Sequence, residues 1–247
     1  QRVESDPGFA YMTEAEKTGV VYNLLMGTAH PLIDVELGDG TYYSPRRVGA
    51  GQVDALAATT TTVYPSVVGA ENPSRPKADL GDGTSGWTFH VTLTNVSDTA
   101  RTYTLGGQAL SEKVENMLFA RHSMNWAGQG IDLTYSADSV TVPAKGEATV
   151  TVTVTPRSAF ASYANANAPK GTFIDGAVTF TSTEGQPDLT VPYMGFYGSW
   201  GAPAVFDGKW YDGTTSTAHA CSSTLLNPAT EVPLGALNPL VGQEIDD

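Results

Sequence analysis

Tyr42-Tyr43-Ser44-Pro45-Arg46-Arg47-Val48-Gly49-Ala50-Gly51-Gln52-Val53-Asp54-Ala55-Leu56-Ala57-Ala58 divides this chain in two. The residues before it have the period of helices, and those after it, as far as about residue 200, have the period of strands. Within the stretch, Ser44-Pro45 turns the chain away from helix, because the proline ring crowds the residue before it. Gly49 and Gly51 allow a tight, close-packed approach with no Cβ in the way. Val53, Leu56 and Ala57 then recur at i, i+3 and i+4, which predicts a short helix with one narrow apolar stripe.

Upstream, Asp6-Pro7-Gly8 is a turn signal, and Thr13 with Glu16 forms a Thr-x-x-Glu capping box that starts a helix. Val20, Val21, Leu24 and Leu25 supply its apolar face, and Gly27 and Pro31 stop it. Residues 1–60 therefore offer two helices and too little apolar material for a core of their own. They must dock on something.

Downstream the alternation is clear. Trp87, Phe89, Val91 and Leu93 alternate with threonines and His90. Tyr103 and Leu105, then Ile131, Leu133 and Tyr135, repeat the pattern. After the Val142–Glu147 turn, Ala148, Val150, Val152 and Val154 alternate with threonines. Ile174 to Phe180 and Leu189 to Tyr193 close the series. Seven or so short strands with threonine-rich outer faces predict an immunoglobulin-like β-sandwich. Two pieces look irregular: Ser111 to Met124, and Ser158 to Asn167, the latter a short helix ending before Pro169. The expected division is 1–60 helical, 61–204 sandwich, and 205–247 linker or the start of a following domain.

Several of these motifs resemble a known family. Ser-Pro-Arg-Arg-x-Gly-Ala-Gly-x-Val-Asp-Ala, residues 44–55, resembles the closing segment of a subtilisin-like catalytic domain, where Gly-Ala-Gly-x-Val-x-Ala opens the last helix. Leu24-Leu25-Met26-Gly27-Thr28-Ala29 is similar to the Leu-Met-x-Thr-Ala that ends the preceding helix. Val191-Pro192-Tyr193-Met194-Gly195-Phe196-Tyr197-Gly198 resembles the end of the fibronectin-III-like domain that comes after the protease in lactocepin-like and complement-cleaving cell-envelope proteinases. Phe173 to Phe180 resembles that domain's Phe-x-Gly-x-Val-x-Phe strand with one extra residue before the glycine. The resemblance covers residues 13 to 205. It implies a non-catalytic fragment of a secreted or cell-wall subtilisin-like serine endopeptidase of a Gram-positive bacterium, whose sandwich braces the protease domain and helps present substrate. The implied partners are the rest of that protease domain and a protein or peptide substrate. A surface adhesion or carbohydrate-binding module is the alternative, with no use for the two helical motifs.

Composition agrees with this class and excludes others. The chain has 247 residues, with 26 acidic residues against 13 basic, a formal net charge of −13. That argues against a nucleic-acid partner, since phosphate binding needs a basic footprint. No apolar run approaches the length of a membrane span. Cys221 is the only cysteine, so neither an intrachain disulfide nor a cysteine metal cluster can form. Gln1 opens the chain without a leader pattern, and the reading is an excised fragment.

Catalytic residues are expected to be absent. A subtilisin-like protease needs an aspartate, a histidine and a serine in Gly-Thr-Ser-Met at a helix start. The resemblance places all three upstream of Gln1. Gly83-Thr84-Ser85 matches three letters of the serine motif, but Gly86-Trp87 comes next and a strand begins there. Ser199, in Gly-Ser-Trp-Gly, lacks the spacing of a nucleophile elbow. His30, His90, His122 and His219 are scattered without ligand spacing, and His90 falls on a polar strand face. Asp34, Glu36 and Asp39, or Asp79 and Asp82, supply oxygens without the spacing of a calcium loop, and read as solvated turn carboxylates. No cofactor is expected for this chain; calcium enters as a candidate only for the parent protease. Trp200, Trp210, Tyr197 and Tyr211 cluster after the last strand, either plugging the sandwich edge or stacking on sugars.

Overall fold

The computed structural model describes residues 2–115, 118–201, 225–226 and 233–234. Residues 1–198 form one compact unit, and 199–247 a second. In the second, β11 (Leu225–Leu226) pairs antiparallel with β12 (Pro233–Leu234).

The first unit begins with a helical cap. It contains α1 (Arg2–Ser5), a 3-10 turn at Pro7–Phe9, α2 (Glu14–Gly27), α3 (Pro45–Val48) and α4 (Ala55–Thr60). The capping box at α2 is complete: Glu16 N–H donates to Thr13 Oγ1, and Thr13 N–H donates to Glu16 Oε2 at 2.8 Å. Val20 and Leu24 turn inward and form a small apolar cluster with Val3, Phe9, Ala58, Tyr64 and Val96. Gly27 is where α2 touches the sandwich, since a Cβ there would lie 2.5 Å from Pro65 Cδ. Gly51 has φ 110°, and a Cβ on it would meet the His30 carbonyl oxygen at 2.0 Å, so glycine is required where residues 30 and 52 bridge.

Ten strands make up the remainder of this unit: β1 (Val63–Val67), β2 (Ala78–Gly83), β3 (Trp87–Asn95), β4 (Arg101–Glu115), β5 (Leu118–Asn125), β6 (Ile131–Tyr135), β7 (Ser139–Val142), β8 (Glu147–Pro156), β9 (Thr172–Ser182) and β10 (Leu189–Tyr197). The helix α5 (Ser158–Asn167) separates β8 from β9. One sheet has the order β1-β3-β8-β6; the other runs β2-β10-β9-β4-β5, with β7 also on β4. Phe89, Val91, Leu93, Val150, Val152 and Val154 from the first sheet face Tyr103, Ile174, Val178, Phe180, Val191 and Tyr193 from the second. The expected fibronectin-III-like sandwich is thus present. Its threonine face is a cross-strand ladder, with Thr88–Thr153, His90–Thr151 and Thr92–Thr149 bonded at 3.2, 3.1 and 2.9 Å.

Three expectations need correction. Most of Ser111 to Met124 is strand: β4 and β5 pair antiparallel across it, with a register shift between Glu112 and Val114. The alternation is hidden because both faces of the hairpin carry buried polar side chains, among them Ser111 and Ser123. Asp79 and Asp82 are not turn carboxylates: Ala78 to Gly83, which lacks alternation, is the strand β2, running parallel to β10 at the end of the sheet order among the described residues. The apolar stripe of the Val53–Ala58 segment faces this chain's core only in part. Ala57 and Ala58 are buried, whereas Val53 is 62% and Leu56 73% exposed.

Candidate functional site: the clamp between cap and sandwich

Two carboxylates that the sequence places inside apolar runs anchor the cap on the outer face of the second sheet. Asp175 stands in mid-strand on β9, between Ile174 and Gly176, and is fully buried. Its Oδ2 accepts hydrogen bonds from Ser44 Oγ at 2.5 Å and Arg46 Nε at 2.6 Å. Ser44 also caps α3, its Oγ accepting from Arg46 N–H. The Arg46 guanidinium reaches Glu112 on β4 at 2.6 Å and lies over the Phe173 ring at 4.2 Å. Glu112 in turn accepts from Thr172 Oγ1 at 2.6 Å. One arginine from a four-residue helix therefore ties β4 and β9 together. Burial raises the Asp175 carboxyl above its ordinary range, although Arg46 and Ser44 pull it down. Its Oδ1 has no hydrogen-bond partner.

Asp34 is the second anchor. It is fully buried and accepts from His122 on β5 at 2.6 Å and from Glu36 N–H at 3.1 Å. Burial raises its carboxyl, but hydrogen bonds from His122, Glu36 N–H and the Tyr43 hydroxyl outweigh that, and it lies below the ordinary carboxylate range. Glu36 pairs with Arg121. Arg47 donates to the carbonyls of Arg121 and Ala120 at 2.6 and 2.9 Å. Gln108 donates to the Gly40 carbonyl and accepts from Tyr42 N–H. Residues 34–47 are thus fastened to β4, β5 and β9 mainly by polar bonds.

Asp34 is the residue where the solvated-turn reading fails: Ile33-Asp34-Val35 folds it inward, and His122 fills the place that water would take. Glu36 is an ion-pair member, and Asp39 accepts from Thr41 N–H at 2.9 Å. Asp79 and Asp82 lie on strand β2 rather than in a turn, with exposed side chains. Among the described residues, no three histidine, cysteine, aspartate or glutamate side chains gather as metal ligands. Ser85 is exposed in the turn before β3, and His90 Nδ1 is paired with Thr151 Oγ1. His30 lies 3.1 Å from Asp54. Ser199 accepts from Gly201 N–H. The described residues bring no serine, histidine and aspartate together. Tyr197 packs edge-on against Phe160 at 5.2 Å, as a plug would. Trp200 is 57% exposed. Trp210, Tyr211, His219 and Cys221 lie outside the described residues.

Sequence reasoning misses the clamp because its cap and sheet partners are 66 to 131 positions apart. Its one signal is a charge in the middle of an apolar strand. That same Asp175 stands in the stretch before Gly176 where the resemblance has one residue fewer.

A two-sheet β-sandwich bearing a polar-clamped helical cap defines the class: a fibronectin-III-like module. Residues 79–194 match the family described as an Fn3-like domain, and the chain carries that domain. It is homologous to the C5a peptidase of Streptococcus pyogenes serotype M1, 29% identical over 209 residues, which are 84% of this chain and 17% of that protein. It is also homologous to the PI-type proteinase of Lactococcus lactis subsp. cremoris, 30% identical over 216 residues, 85% of this chain and 10% of that protein. The chain therefore spans less than a fifth of the length of these relatives. Among solved structures, the PapD-like domain 7 of human CEP192 aligns at a TM-score of 0.34 and 13% identity, over 57% of this chain and 86% of that one. That likeness is too loose to carry an argument. No helix among the described residues is long and apolar enough to cross a membrane.

Proposed function

We propose that this chain is the bracing part of a secreted or cell-wall subtilisin-like serine endopeptidase of a Gram-positive bacterium, and that it hydrolyses nothing alone. The cap is the end of the protease domain, and the sandwich holds it and helps present substrate. The observation that carries this reading is the cap's two-sidedness. One side is clamped to the sandwich through Ser44, Arg46 and Asp34. Ile33, Val35, Val53 and Leu56 are 52, 81, 62 and 73% exposed, apolar side chains that the cap leaves for something else to cover. The rest of the protease domain is the partner that fits.

Homology to two proteinases over 84–85% of the chain supports the same reading. Acyl transfer through serine needs nucleophile, base and oxyanion donors within hydrogen-bond reach. Ser85 is exposed in the turn before β3, and His90 Nδ1 is paired with Thr151 Oγ1 rather than with a serine. The experiment is a fluorophosphonate serine probe. The expected result is no labelling of this chain, and labelling once the upstream segment is restored. Stoichiometric labelling of this chain, abolished by Ser85→Ala, would overturn the reading.

A further inference from the structure

We propose that the groove between β2 and the start of β3 binds an extended peptide segment as an added strand, which makes it the place where substrate is presented. This rests on the protease-brace reading and adds a location and a mode of binding.

The groove has a volume of about 1160 Å3. The loop of residues 68–77, crossing from one sheet to the other, forms its rim, and Leu80, Trp87 and His90 are among the residues lining it. Two strand edges line it as well. Among the described residues β2 pairs with β10 alone, and Ala78 to Gly81, on its other side, line the groove. β1 reaches only as far as Val67 opposite Val91, and Val68 N–H adds one bond to the His90 carbonyl. In an antiparallel ladder alternate residues turn their N–H and C=O to the same side. Thr88, two residues before His90, therefore turns its backbone N–H and C=O toward the side that β1 has left.

Such edges are templates for strand addition, in which main-chain hydrogen bonds give affinity and side-chain pockets give selectivity. The floor beside Thr88 is aromatic, formed by Trp87 and Phe89. Charge selects the kind of peptide. The chain carries a net charge of −13. In the groove, Arg75 and Lys77 balance Glu71 and Asp79, so it does not repel a peptide with carboxylates as the remaining surface does. An extended segment with β-branched residues facing Trp87 and a carboxylate near Arg75 and Lys77 fits this lining.

The test uses the 247-residue chain and an acetylated, amidated peptide of alternating threonine and valine with glutamate at each end. Amide chemical shifts are expected to move at residues 78–81 and 87–90. Thr88→Pro removes the groove-facing donor and leaves the bonds to β8 in place; it should weaken binding about tenfold. Arg75→Ala with Lys77→Ala, both exposed, should weaken binding and flatten its salt dependence. If Thr88→Pro does not fold, the shift map and the double alanine variant decide. Shifts confined to other surfaces, absence of binding, or affinity unchanged in both variants would overturn the proposal. Labelling by the serine probe once the upstream segment is restored, with no peptide binding here, would remove the groove and leave the brace standing.

Discussion

Leu93 and Asp175 are both fully buried, and they stand for two regions held in different ways. Leu93 sits between the sheets among valines and aromatics, where its contribution is area removed from water. Asp175 sits where the cap meets the outer face of the second sheet, and its place depends on Ser44 and Arg46 arriving with the right atoms. The first kind of contact tolerates any neighbour of similar size. The second fails when one partner is lost, because a buried charge is then left uncompensated. A sandwich can be recognised and exchanged as a unit; the clamp is specific to this cap.

The largest effect should come from breaking the clamp. Arg46→Ala leaves Asp175 and Glu112 without their cation, and a cost of about 3–5 kcal/mol is expected. Amide exchange should rise across residues 31–49 while β3 and β8 stay protected. Uniform loss of protection would show that cap and sandwich unfold as one, and the contrast between them would fail.

Leu93→Ala should lower the stability of the sandwich by about 2–5 kcal/mol, read as a shift in the urea midpoint with an unchanged slope. The ion pairs of Arg46 should survive it.

Acid should separate the two carboxylates. Asp34 titrates below its ordinary value in the folded chain, so the stability it contributes is fully present above the unfolded value of 3.8 and disappears as the pH falls through the lower, folded value. Asp175 is shifted up, so acidification relieves a cost there instead. Exchange should therefore increase around residues 33–36 and 121–123 at low pH before it increases around residue 175. The opposite order would refute the assignment of the two anchors.

The smallest effect is expected on the threonine ladder. Thr92→Ala removes the exposed bond to Thr149 and should cost about 0.2–1 kcal/mol by urea unfolding. A larger loss would mean that the outer face carries more of the sandwich's stability than its exposure suggests.

Much of the sandwich is legible in the sequence because strand period and burial coincide: in β3 and β8 every second residue faces the core. β2 is not, since an Asp- and Gly-rich edge strand has no second face to encode. The β4–β5 hairpin is hidden for the opposite reason, with polar residues buried on both faces. The capping box of α2 is legible because it is a contact over three residues. The clamp joins cap and sheet residues 66 to 131 positions apart, and only the lone carboxylates within Ile33-Asp34-Val35 and Ile174-Asp175-Gly176 hint at it. Exposure of Val53 and Leu56 is beyond the sequence's reach, because an apolar stripe does not say which body it faces.

Arg47 also decides where this protein can be cut. β5 is the last strand of its sheet, and the Arg47 guanidinium occupies the carbonyls of Ala120 and Arg121 on it. Beginning the chain at Thr61 would keep every strand yet free those two carbonyls on an end strand, near Leu118 and Phe119, which are already 72 and 57% exposed. An uncovered edge beside apolar side chains recruits the same edge of another molecule. Trimmed to its sandwich, the module should therefore precipitate or form fibrils at concentrations where the capped chain stays clear.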